Sequence, residues 1–340
     1  DLPQPGYSAQ EIMNAIHAGE IRGLLSMCFN PLVSLPDANF TREALSKLEY
    51  FGVVDFFMSE TAHHADVVLA GSLHEEEDGL GCSAEGRVIH WQKSIDPPGQ
   101  ARQDSDIIID IAHRLGRGQY FPFKNPADIL EELRVASRGG VADYYGITYE
   151  RVDKEKGIFW PCPDLGHPGT PMLFADKKFY THDGKAHFNK TEWRPSGDPV
   201  DDDYPLYLTT GRVVSQYLSG TQTRRIGALV DQYPEPRAEI HPRLAEKYNV
   251  RDGDWVTVTT RRDDLTIRAM VAKTIRPDTV FIPYHWAGTR SANRLTHRTL
   301  DPRSKIPEFK VSACRIQLAT SPDSSSDDRA AHNGALRGGA

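Results

Sequence analysis

Gly23-Leu24-Leu25-Ser26-Met27-Cys28-Phe29 is a short apolar run of the kind that forms a strand in a buried sheet. Two further apolar runs follow at 51–57 and 66–70, and a helical pattern at about 41–48 separates the first run from the second. Near-continuous apolar strands that alternate with helices are typical of a parallel sheet covered by helices. The sequence therefore predicts an α/β fold with a buried parallel sheet for this part of the chain.

Helix boundaries in the first 140 residues are marked by local signals. Helices with such signals are predicted at about 9–18, 105–115 and 126–138. Ser8 and Glu11 form a capping box at the start of the first helix. Asp104 or Ser105 is placed to cap the second helix, and Gly116 to end it. These helices complete the alternation of helix and strand that the apolar runs predict.

Polar side chains follow the first two predicted strands. Asn30 comes directly after the first strand, and Asp55, Ser59, Glu60 and Thr61 come at the end of the second. The carboxyl ends of parallel strands meet at one edge of a sheet, so these residues are predicted to line a ligand crevice. Carboxylates and small hydroxyl residues suit ribose hydroxyls and a nucleobase. For any single one of them, a turn or capping role is the alternative.

From Tyr204 onward the pattern changes to β structure. Strands are predicted at 206–210, 255–260, 265–272 and 279–283, with one short helix at about 242–248. In the strand at 255–260, valines alternate with tryptophan and threonine, which predicts one buried face. Several strands joined by turns, with a single helix, predict a small β-barrel.

The composition is that of an ordinary globular protein with room for two domains: 340 residues, of which 39% are hydrophobic and 26% charged. Cys28, Cys82, Cys162 and Cys314 stand isolated, without the spacing of a zinc or iron–sulfur site, and are predicted to be buried thiols. No apolar run is long enough to cross a membrane. The first residue is Asp1, and no signal peptide follows it, so we expect a cytoplasmic protein whose chain begins inside a longer one.

Charge is divided unevenly along the chain. Residues 205–310 hold 18 Lys+Arg against 11 Asp+Glu, whereas residues 1–204 hold 19 against 33. Such an asymmetry predicts that the basic part faces an anion or an acidic partner surface, chance variation being the alternative. Nucleic acid is not expected as a partner, because the arginines are scattered singly or in pairs without interleaved aromatic residues.

Several segments follow one another in a recognisable order. They are Asn30-Pro31, Thr61 with Ala65-Asp66-Val67-Val68-Leu69, Glu77-Asp78-Gly79, Glu85-Gly86-Arg87-Val88, Asp96-Pro97-Pro98-Gly99, Thr210-Gly211-Arg212, Asn293 and Pro307-Glu308-Phe309-Lys310. This order resembles the C-terminal half of the molybdopterin oxidoreductases, enzymes that carry molybdenum on two molybdopterin guanine dinucleotides. The resemblance covers about 7–319, nearly the whole chain.

Other segments are most similar to bacterial assimilatory nitrate reductase. They are Trp160-Pro161-Cys162-Pro163, His167-Pro168-Gly169-Thr170-Pro171, Asp183-Gly184-Lys185-Ala186 and the stretch 219–225. This resemblance implies reduction of nitrate to nitrite by oxygen-atom transfer at molybdenum. Two alternatives stay open: a formate dehydrogenase or another oxidoreductase of the same family, and a molybdopterin-binding subunit without catalysis.

The resemblance implies a fold that agrees with the reading of the residues: part of a doubly wound parallel-sheet α/β domain, followed by a double-psi β-barrel. We expect the α/β part at 1–118, a helical and irregular connector at 119–203, the dinucleotide-binding barrel at 204–319 and a disordered tail at 320–340. The opening portion of the α/β domain would lie in the other half of the enzyme.

The resemblance also implies which residues bind the cofactor, molybdenum bis(molybdopterin guanine dinucleotide). They are Asp55, Thr61, Glu85, Arg87, Asp104, Thr210, Gly211, Arg212, Ser219, His285, Asn293 and Lys310. Carboxylates can accept hydrogen bonds from ribose or guanine, glycine permits close backbone approach, and arginine suits a phosphate or pterin edge. For His285 the alternative is a barrel histidine satisfied by a backbone carbonyl. No catalytic residue or metal ligand is predicted in this chain.

The remaining parts of the enzyme are expected outside this sequence. The resemblance implies that a [4Fe-4S] cluster, the molybdenum ligand and the residues around nitrate belong to the N-terminal half, which would be the main partner of this chain. An electron donor such as ferredoxin, flavodoxin or a flavoprotein is also implied. We expect the isolated chain to be inactive, and to fold poorly because its sheet edge and crevice would be uncovered.

Overall fold

The computed structural model describes residues 5–321, so most of the predicted tail at 320–340 lies outside the described residues. The α-helices are α1 (Ala9–His17), α2 (Pro31–Ser34), α3 (Ala38–Ser46), α4 (Asp104–Arg114), α5 (Pro126–Ser137), α6 (Tyr149–Glu155), α7 (Gly227–Gln232) and α8 (Pro242–Lys247). The strands are β1 (Gly23–Met27), β2 (Tyr50–Asp55), β3 (Val67–Ala70), β4 (Gly79–Cys82), β5 (Arg87–Trp91), β6 (Ile158–Phe159), β7 (Leu206–Gly211), β8 (Arg237–Ile240), β9 (Trp255–Thr259), β10 (Asp264–Val271), β11 (Thr279–Pro283) and β12 (Ser312–Leu318).

Two compact units make up the described chain: residues up to Leu69 together with those from Arg194 onward, and residues Ala70–Trp193. The sequence instead predicts domain boundaries near 118 and 203, and those boundaries stay a prediction. No helix in the described range is both long and apolar enough to span a bilayer.

The first unit contains the predicted parallel sheet. Its strand order is β1-β2-β3, and β1 pairs in parallel with β2. The capping box of α1 is formed as predicted, with Ser8 and Glu11 each bonded to the backbone of the other. Strand β2 is buried after Tyr50, but Leu25 of β1 is 39% exposed, and Val67 and Val68 of β3 are 41% and 36% exposed. The prediction of buried strands is therefore wrong for β1 and β3, the two outer strands of the sheet order.

The barrel of the first unit is closed and six-stranded, in the order β10-β8-β11-β7-β12-β9. Two of its pairs, β10 with β8 and β11 with β7, are parallel, and the others are antiparallel. Val256 and Val258 are fully buried, while their neighbours on β9 are half-buried, as the alternation predicts. The predicted fold class, α/β with a double-psi barrel, is confirmed. Strands β8 and β12 are additional to the predicted ones.

The chain that enters the barrel is fastened by a buried carboxylate. Asp198 is 4% exposed. It accepts hydrogen bonds from Arg261 at 2.6 Å, from Arg262 at 2.7 Å and from the backbone N–H of Ala313 at 2.9 Å. Burial alone would raise the pKa of Asp198, but these donors hold it below its usual value.

The second unit contains an antiparallel sheet in the order β4-β5-β6. Its buried apolar residues are Val88, Ile147, Val152, Ile158 and Cys162. Helix α4 begins one residue earlier than predicted: Gln103 is its N-cap, without a side-chain hydrogen bond. Asp104 is already helical, and its charge suits the positive end of the helix dipole.

A histidine links the hairpin of this unit to helix α6. His90 on β5 contacts Asp153 at 2.7 Å through Nδ1 and Asp78 at 2.9 Å through Nε2. Burial would lower the pKa of His90, but the two carboxylates raise it above its usual value. Burial and the Asp78 charge also raise the pKa of the adjacent Tyr149 to about 12.

Two of the four cysteines depart from the prediction. Cys162 and Cys314 are buried, whereas Cys28 and Cys82 are exposed. Cys28 lies just beyond the end of β1, and Cys82 is the last residue of β4, next to the hairpin turn. Both positions are at strand ends, where the sheet no longer covers the side chain.

Candidate functional site

A cluster of loops lies at the carboxyl ends of β1 and β2 in the first unit. Two loops of the barrel reach it, the loop 212–226 after β7 and the loop 284–293 after β11. We call these segments, with residues 28–34 and 55–61, the loop cluster. Asn30 connects them, since its amide donates to Glu60 at 2.7 Å and to Thr221 at 3.3 Å. The α/β part and the barrel loops are thus tied by side-chain hydrogen bonds.

Asp55 and Thr61 lie at the crevice edge where the sequence predicts them. Asp55 is 8% exposed and accepts a hydrogen bond from the Ser59 hydroxyl at 2.8 Å. Thr61 is fully buried; its hydroxyl donates to Asn30 Oδ1 at 2.6 Å and accepts from the backbone N–H of Leu32 at 3.3 Å. The hydroxyl of Thr61 is therefore used within the chain and shapes the loops, while Asp55 keeps acceptor capacity.

An ion pair crosses the loop cluster from the loop after β2 to the barrel loop 212–226. Arg224 Nη2 donates to Glu60 Oε1 at 2.5 Å, and both side chains are about one quarter exposed, at 24% and 23%. Burial would raise the pKa of Glu60, but Arg224 and Asn30 hold it below its usual value. Arg224 Nε is buried and has no hydrogen-bond partner among the described residues. That buried donor is available to an acceptor that enters the cluster.

Gly220 allows the barrel loop to pack closely here. Its φ is +73°, and an added Cβ would lie 2.7 Å from both Arg224 Nε and the backbone oxygen of His285. A larger residue would push the backbone of one loop off the other, so the position requires glycine on both counts.

His285 is fully buried between the two barrel loops. Its Nε2 accepts a hydrogen bond from the backbone N–H of Val213 at 3.0 Å, so the ring proton lies on Nδ1, which donates to the Leu218 carbonyl at 2.6 Å. Burial lowers the pKa of His285, and the nearby charges of Arg212 and Arg224 lower it further. The ring is neutral and both nitrogens are used, as the alternative reading of a satisfied barrel histidine predicts. It holds the segment 213–218 in place.

Asn293 and Ser219 also make contacts within the cluster. Asn293 is 2% exposed, and its amide donates to the backbone oxygen of Val33 at 2.6 Å. Ser219 is half-buried and shares a hydrogen bond of 2.9 Å with Thr221. Asn293 thus joins the loop after β11 to helix α2, and Ser219 stiffens the loop after β7.

Thr210, Gly211, Arg212 and Lys310 are brought together although nearly a hundred residues separate them. The ammonium of Lys310 donates to the backbone oxygen of Thr210 at 2.6 Å, and the Thr210 hydroxyl donates to the Phe309 carbonyl at 2.9 Å. Gly211 lies against a neighbouring ring, since an added Cβ would be 2.5 Å from Phe281.

Arg212 and Lys310 form a basic rim beside these contacts. Both are exposed. Arg212 Nε donates to the Tyr284 hydroxyl at 3.1 Å. Burial lowers the pKa of Lys310, and the charge of Arg212 lowers it further. Two cations that repel each other would be stabilised by a bound anion. With the buried donor of Arg224, this set of groups fits a ligand that carries phosphates or other anionic oxygens.

Glu85, Arg87 and Asp104 belong to the second unit. Glu85 lies in the turn between β4 and β5 and binds Arg87 Nε at 2.8 Å; the Arg87 guanidinium stacks on Phe159 at 4.5 Å. Asp104 begins α4 and faces Glu77, whose pKa is raised by burial and by the Asp104 carboxylate. In this unit, Asp104 therefore contributes a carboxylate next to that of Glu77, and Glu85 and Arg87 contribute an exposed ion pair.

Three residues of the loop cluster are missing from the twelve predicted binding residues: Asn30, Glu60 and Arg224. Asn30 and Glu60 carry the signal of polar residues after strands, which predicts the crevice. Nothing in the sequence pairs Glu60 with Arg224, because 164 positions separate them.

Comparison with known protein families gives two matches. The model described as molybdopterin oxidoreductase matches residues 1–114, and that described as Molydopterin dinucleotide binding domain matches residues 206–313. In structure, the chain is similar to acetylene hydratase from Pelobacter acetylenicus, with a TM-score of 0.69 over 91% of this chain and 46% of that one. At 18% identity this likeness speaks for the fold alone.

Curated relatives of high similarity include nitrate reductases and formate dehydrogenases. An assimilatory nitrate reductase catalytic subunit of Bacillus subtilis is 46% identical over 93% of this chain and 45% of its own length. An F420-dependent formate dehydrogenase subunit alpha of Methanocaldococcus jannaschii is 39% identical over 93% and 46%. A periplasmic nitrate reductase of Desulfovibrio desulfuricans is 32% identical over 93% and 44%. The chain spans just under half the length of these relatives.

Proposed function

We propose, since this chain belongs to the molybdopterin oxidoreductases, that it is the cofactor-binding C-terminal half of an assimilatory nitrate reductase. The observation that carries this proposal is the 46% identity to the catalytic subunit of that enzyme from Bacillus subtilis, over 93% of the chain. The segments that the sequence shares with this group lie in both units and are not confined to the barrel.

The predicted cofactor, molybdenum bis(molybdopterin guanine dinucleotide), is confirmed at the level of the family, because the dinucleotide-binding model covers the barrel. When bound, the cofactor would supply the oxygen-atom transfer that reduces nitrate to nitrite. The chain itself contributes binding and orientation. The basic rim of Arg212 and Lys310 and the buried donor Arg224 Nε are the groups that fit its anionic parts.

We divide the twelve predicted residues into two roles. Those that are at least partly exposed, together with Asp55, whose carboxylate keeps acceptor capacity, are proposed to contact the cofactor: Glu85, Arg87, Asp104, Gly211, Arg212, Ser219 and Lys310. Those whose side-chain polar atoms bond within the chain are proposed to position the loops that contact it: Thr61, Thr210, His285 and Asn293. A neutral His285 suits this positioning role, since protonation of Nε2 would break its bond from Val213.

The other parts of the reaction belong to partners of this chain. We propose that the remaining half of the enzyme supplies a [4Fe-4S] cluster, the molybdenum ligand and the residues around nitrate. Electrons would come from ferredoxin, flavodoxin or a flavoprotein. We further propose a cytoplasmic enzyme, and expect the isolated chain to be inactive because it lacks the nitrate-binding residues.

The test uses the full-length enzyme, purified from its host with molybdenum present. Oxidation of reduced methyl viologen is followed on adding nitrate, with formate-dependent dye reduction run beside it. Nitrate-dependent turnover is the expected result. Silence toward both substrates, with molybdenum bound, would overturn the proposal and favour a subunit without this catalysis.

A pair of variants tests the role of the basic rim in the same protein. Arg212→Gln is expected to weaken cofactor retention about ten- to a hundredfold, since a hydrogen bond to a charged group contributes about 1.5–3 kcal/mol. Arg243→Gln, an exposed arginine on α8, is the matched control and should retain molybdenum as the parent does. Equal molybdenum content in both variants would remove Arg212 from the proposed contacts.

A formate dehydrogenase is the second candidate. The observation that favours it is the 39% identity to the formate dehydrogenase subunit alpha of Methanocaldococcus jannaschii over 93% of the chain. Formate-dependent dye reduction without nitrate turnover in the same assay would select this candidate and leave the cofactor assignment unchanged.

A further inference from the structure

Three potential metal ligands meet on the surface of the second unit. His182, Asp183 and His187 are exposed, and one ligand atom from each lies within 4.8 Å of the other two. The two imidazole rings face each other edge to face, with 5.7 Å between their centroids. The sequence analysis predicts no metal ligand here. His182 and His187 have the four-residue separation that histidine pairs of zinc sites show, but no Cys-x-x-Cys pair accompanies them.

The turn that carries these side chains is held by its own hydrogen bonds. The backbone N–H of Gly184 donates to the Thr181 carbonyl at 3.1 Å, and that of Phe179 donates to the Gly184 carbonyl at 3.0 Å. The Thr181 hydroxyl donates to the Lys185 carbonyl at 2.8 Å. Gly184 has a φ of +69°, which permits the tight reversal. The three ligands are therefore placed by a formed turn.

Asp183 is oriented with one oxygen spare. Its Oδ1 accepts from the Lys185 backbone N–H at 3.1 Å, lies 3.1 Å from the Thr181 hydroxyl oxygen, and contacts His187 Nε2 at 2.8 Å. Its Oδ2 receives no hydrogen bond from a described residue, and neither does the His182 ring. A carboxylate whose orientation is fixed by a neighbouring backbone donor, beside two imidazoles, is a common arrangement of metal ligands.

The distances suit a small transition-metal ion after a modest adjustment. Bonds from zinc to imidazole nitrogen or carboxylate oxygen are about 2.0–2.2 Å, so ligand atoms in a tetrahedral shell lie roughly 3.5 Å apart. Rotation of the two exposed imidazoles, which moves each ring nitrogen by about an ångström, would bring the ligand atoms from at most 4.8 Å to this separation. Calcium and magnesium prefer shells of oxygen alone, which one carboxylate does not provide.

We propose that His182, Asp183 and His187 form a surface site for a divalent transition-metal ion of the zinc type, with the fourth position open to water. The site lies within the second unit, and none of its three residues is among the predicted cofactor-binding residues. An ion there would link both sides of the turn 181–187.

The experiment is a Zn²⁺ titration of the full-length protein after chelation and desalting, in competition with a chromophoric chelator. The His182→Ala/His187→Ala variant is compared with His63→Ala/His64→Ala, which removes two other exposed imidazoles. The first variant is expected to lose one equivalent of bound Zn²⁺, the control none. Asp183→Asn should weaken the same equivalent about tenfold or more.

Two readouts separate a defined site from nonspecific binding. Co²⁺ should give visible ligand-field absorption in the parent and the control but not in the first variant, and excess Mg²⁺ should leave it unchanged. Far-ultraviolet circular dichroism is expected to be the same for all variants, because the replaced side chains are exposed. Equal Zn²⁺ stoichiometry and affinity in the parent and in the His182→Ala/His187→Ala variant would overturn the proposal.

Discussion

Glu60→Gln is expected to loosen the barrel loop 212–226 while leaving the fold intact. In the parent, the Glu60 carboxylate accepts from Arg224 at 2.5 Å and from Asn30 at 2.7 Å. The amide keeps the shape but removes the charge, and the Arg224 guanidinium then lacks its anionic partner. Arg224 Nε also has no hydrogen-bond partner among the described residues, so no other carboxylate holds the Arg224 side chain when the Glu60 charge is removed.

The magnitude follows from the exposure of the pair. A hydrogen bond between charged groups contributes about 1.5–3 kcal/mol when buried, and an exposed ion pair less than about 1 kcal/mol. With side chains 23% and 24% exposed, about 1–2 kcal/mol is expected. That corresponds to a roughly 5–30-fold larger equilibrium constant for opening of the loop.

Hydrogen–deuterium exchange of peptides covering 212–226, measured on the full-length protein, provides the assay. Glu60→Gln should speed exchange there about 5–30-fold. Arg224→Met should have a similar effect, and the double variant little more than either single one. Glu43→Gln on α3, where Glu43 forms an exposed ion pair with His17 of α1, is the matched control.

Protection of the loop 212–226 should also depend on pH through the Glu60 carboxylate. The pKa of Glu60 is lowered in the folded protein, so its stabilisation is present above the unfolded value and is lost as the pH falls through the folded one. Loop protection in the parent should therefore decline in acid, and that of Glu60→Gln should not. Unchanged exchange in the variant at neutral pH, or strict additivity with Arg224→Met, would refute the role given to this pair.

Three further predictions concern stability and packing. Asp198→Asn should lower the free energy of unfolding by about 2 kcal/mol, because its two arginine donors lose their shared anion. The urea midpoint measures this loss. The difference from the parent should vanish in acid, below the depressed pKa of Asp198. His90→Gln should remove a stabilisation that is fully present below about pH 6.5 and is lost as pH rises through the raised pKa of His90. The melting temperature of the variant should therefore change less with pH in this range than that of the parent. An equal change with pH in both proteins would contradict the prediction. Gly220→Ala should reduce molybdenum retention, since its Cβ would lie 2.7 Å from the backbone oxygen of His285 and from the Arg224 side chain. Gly227→Ala, with open space around it, should not; equal molybdenum content in the two variants would exclude the clash.

Local signals in the sequence account for the elements that were predicted correctly. The capping box of Ser8 and Glu11 depends on side chains within three residues of the helix start, and it is formed in the structure. Strand β8 was missed because it has four residues, of which Arg237 and Glu239 are charged and face partly outward. The hairpin of β4 and β5 was missed because its two glycines and its turn resemble a loop.

The site could be predicted only in its parts. Polar residues after β1 and β2 predict a crevice, since parallel strands end at one edge. The meeting of Thr210 with Lys310, however, depends on the pairing of β7 with β12, in which Leu208 lies opposite Ser312. Barrel register is a long-range property that no window of sequence contains. For that reason the basic rim can be identified only from the fold or from a family resemblance.

The same contacts explain why residues that belong to one cofactor site can differ in how they respond to substitution. Arg212 and Lys310 offer exposed cations, so their replacement should weaken affinity in proportion to lost charge and depend on salt. His285 and Asn293 are buried and bonded to backbone atoms of other loops, so their replacement removes the support of those loops and leaves buried groups unpaired. This division requires that variants of the first pair lose cofactor in a salt-sensitive way. Variants of the second pair should lose cofactor without salt dependence and show faster hydrogen exchange in the loops. If His285→Ala instead behaved as Arg212→Gln does, His285 would have to be a direct contact, which its two backbone hydrogen bonds do not allow in this conformation.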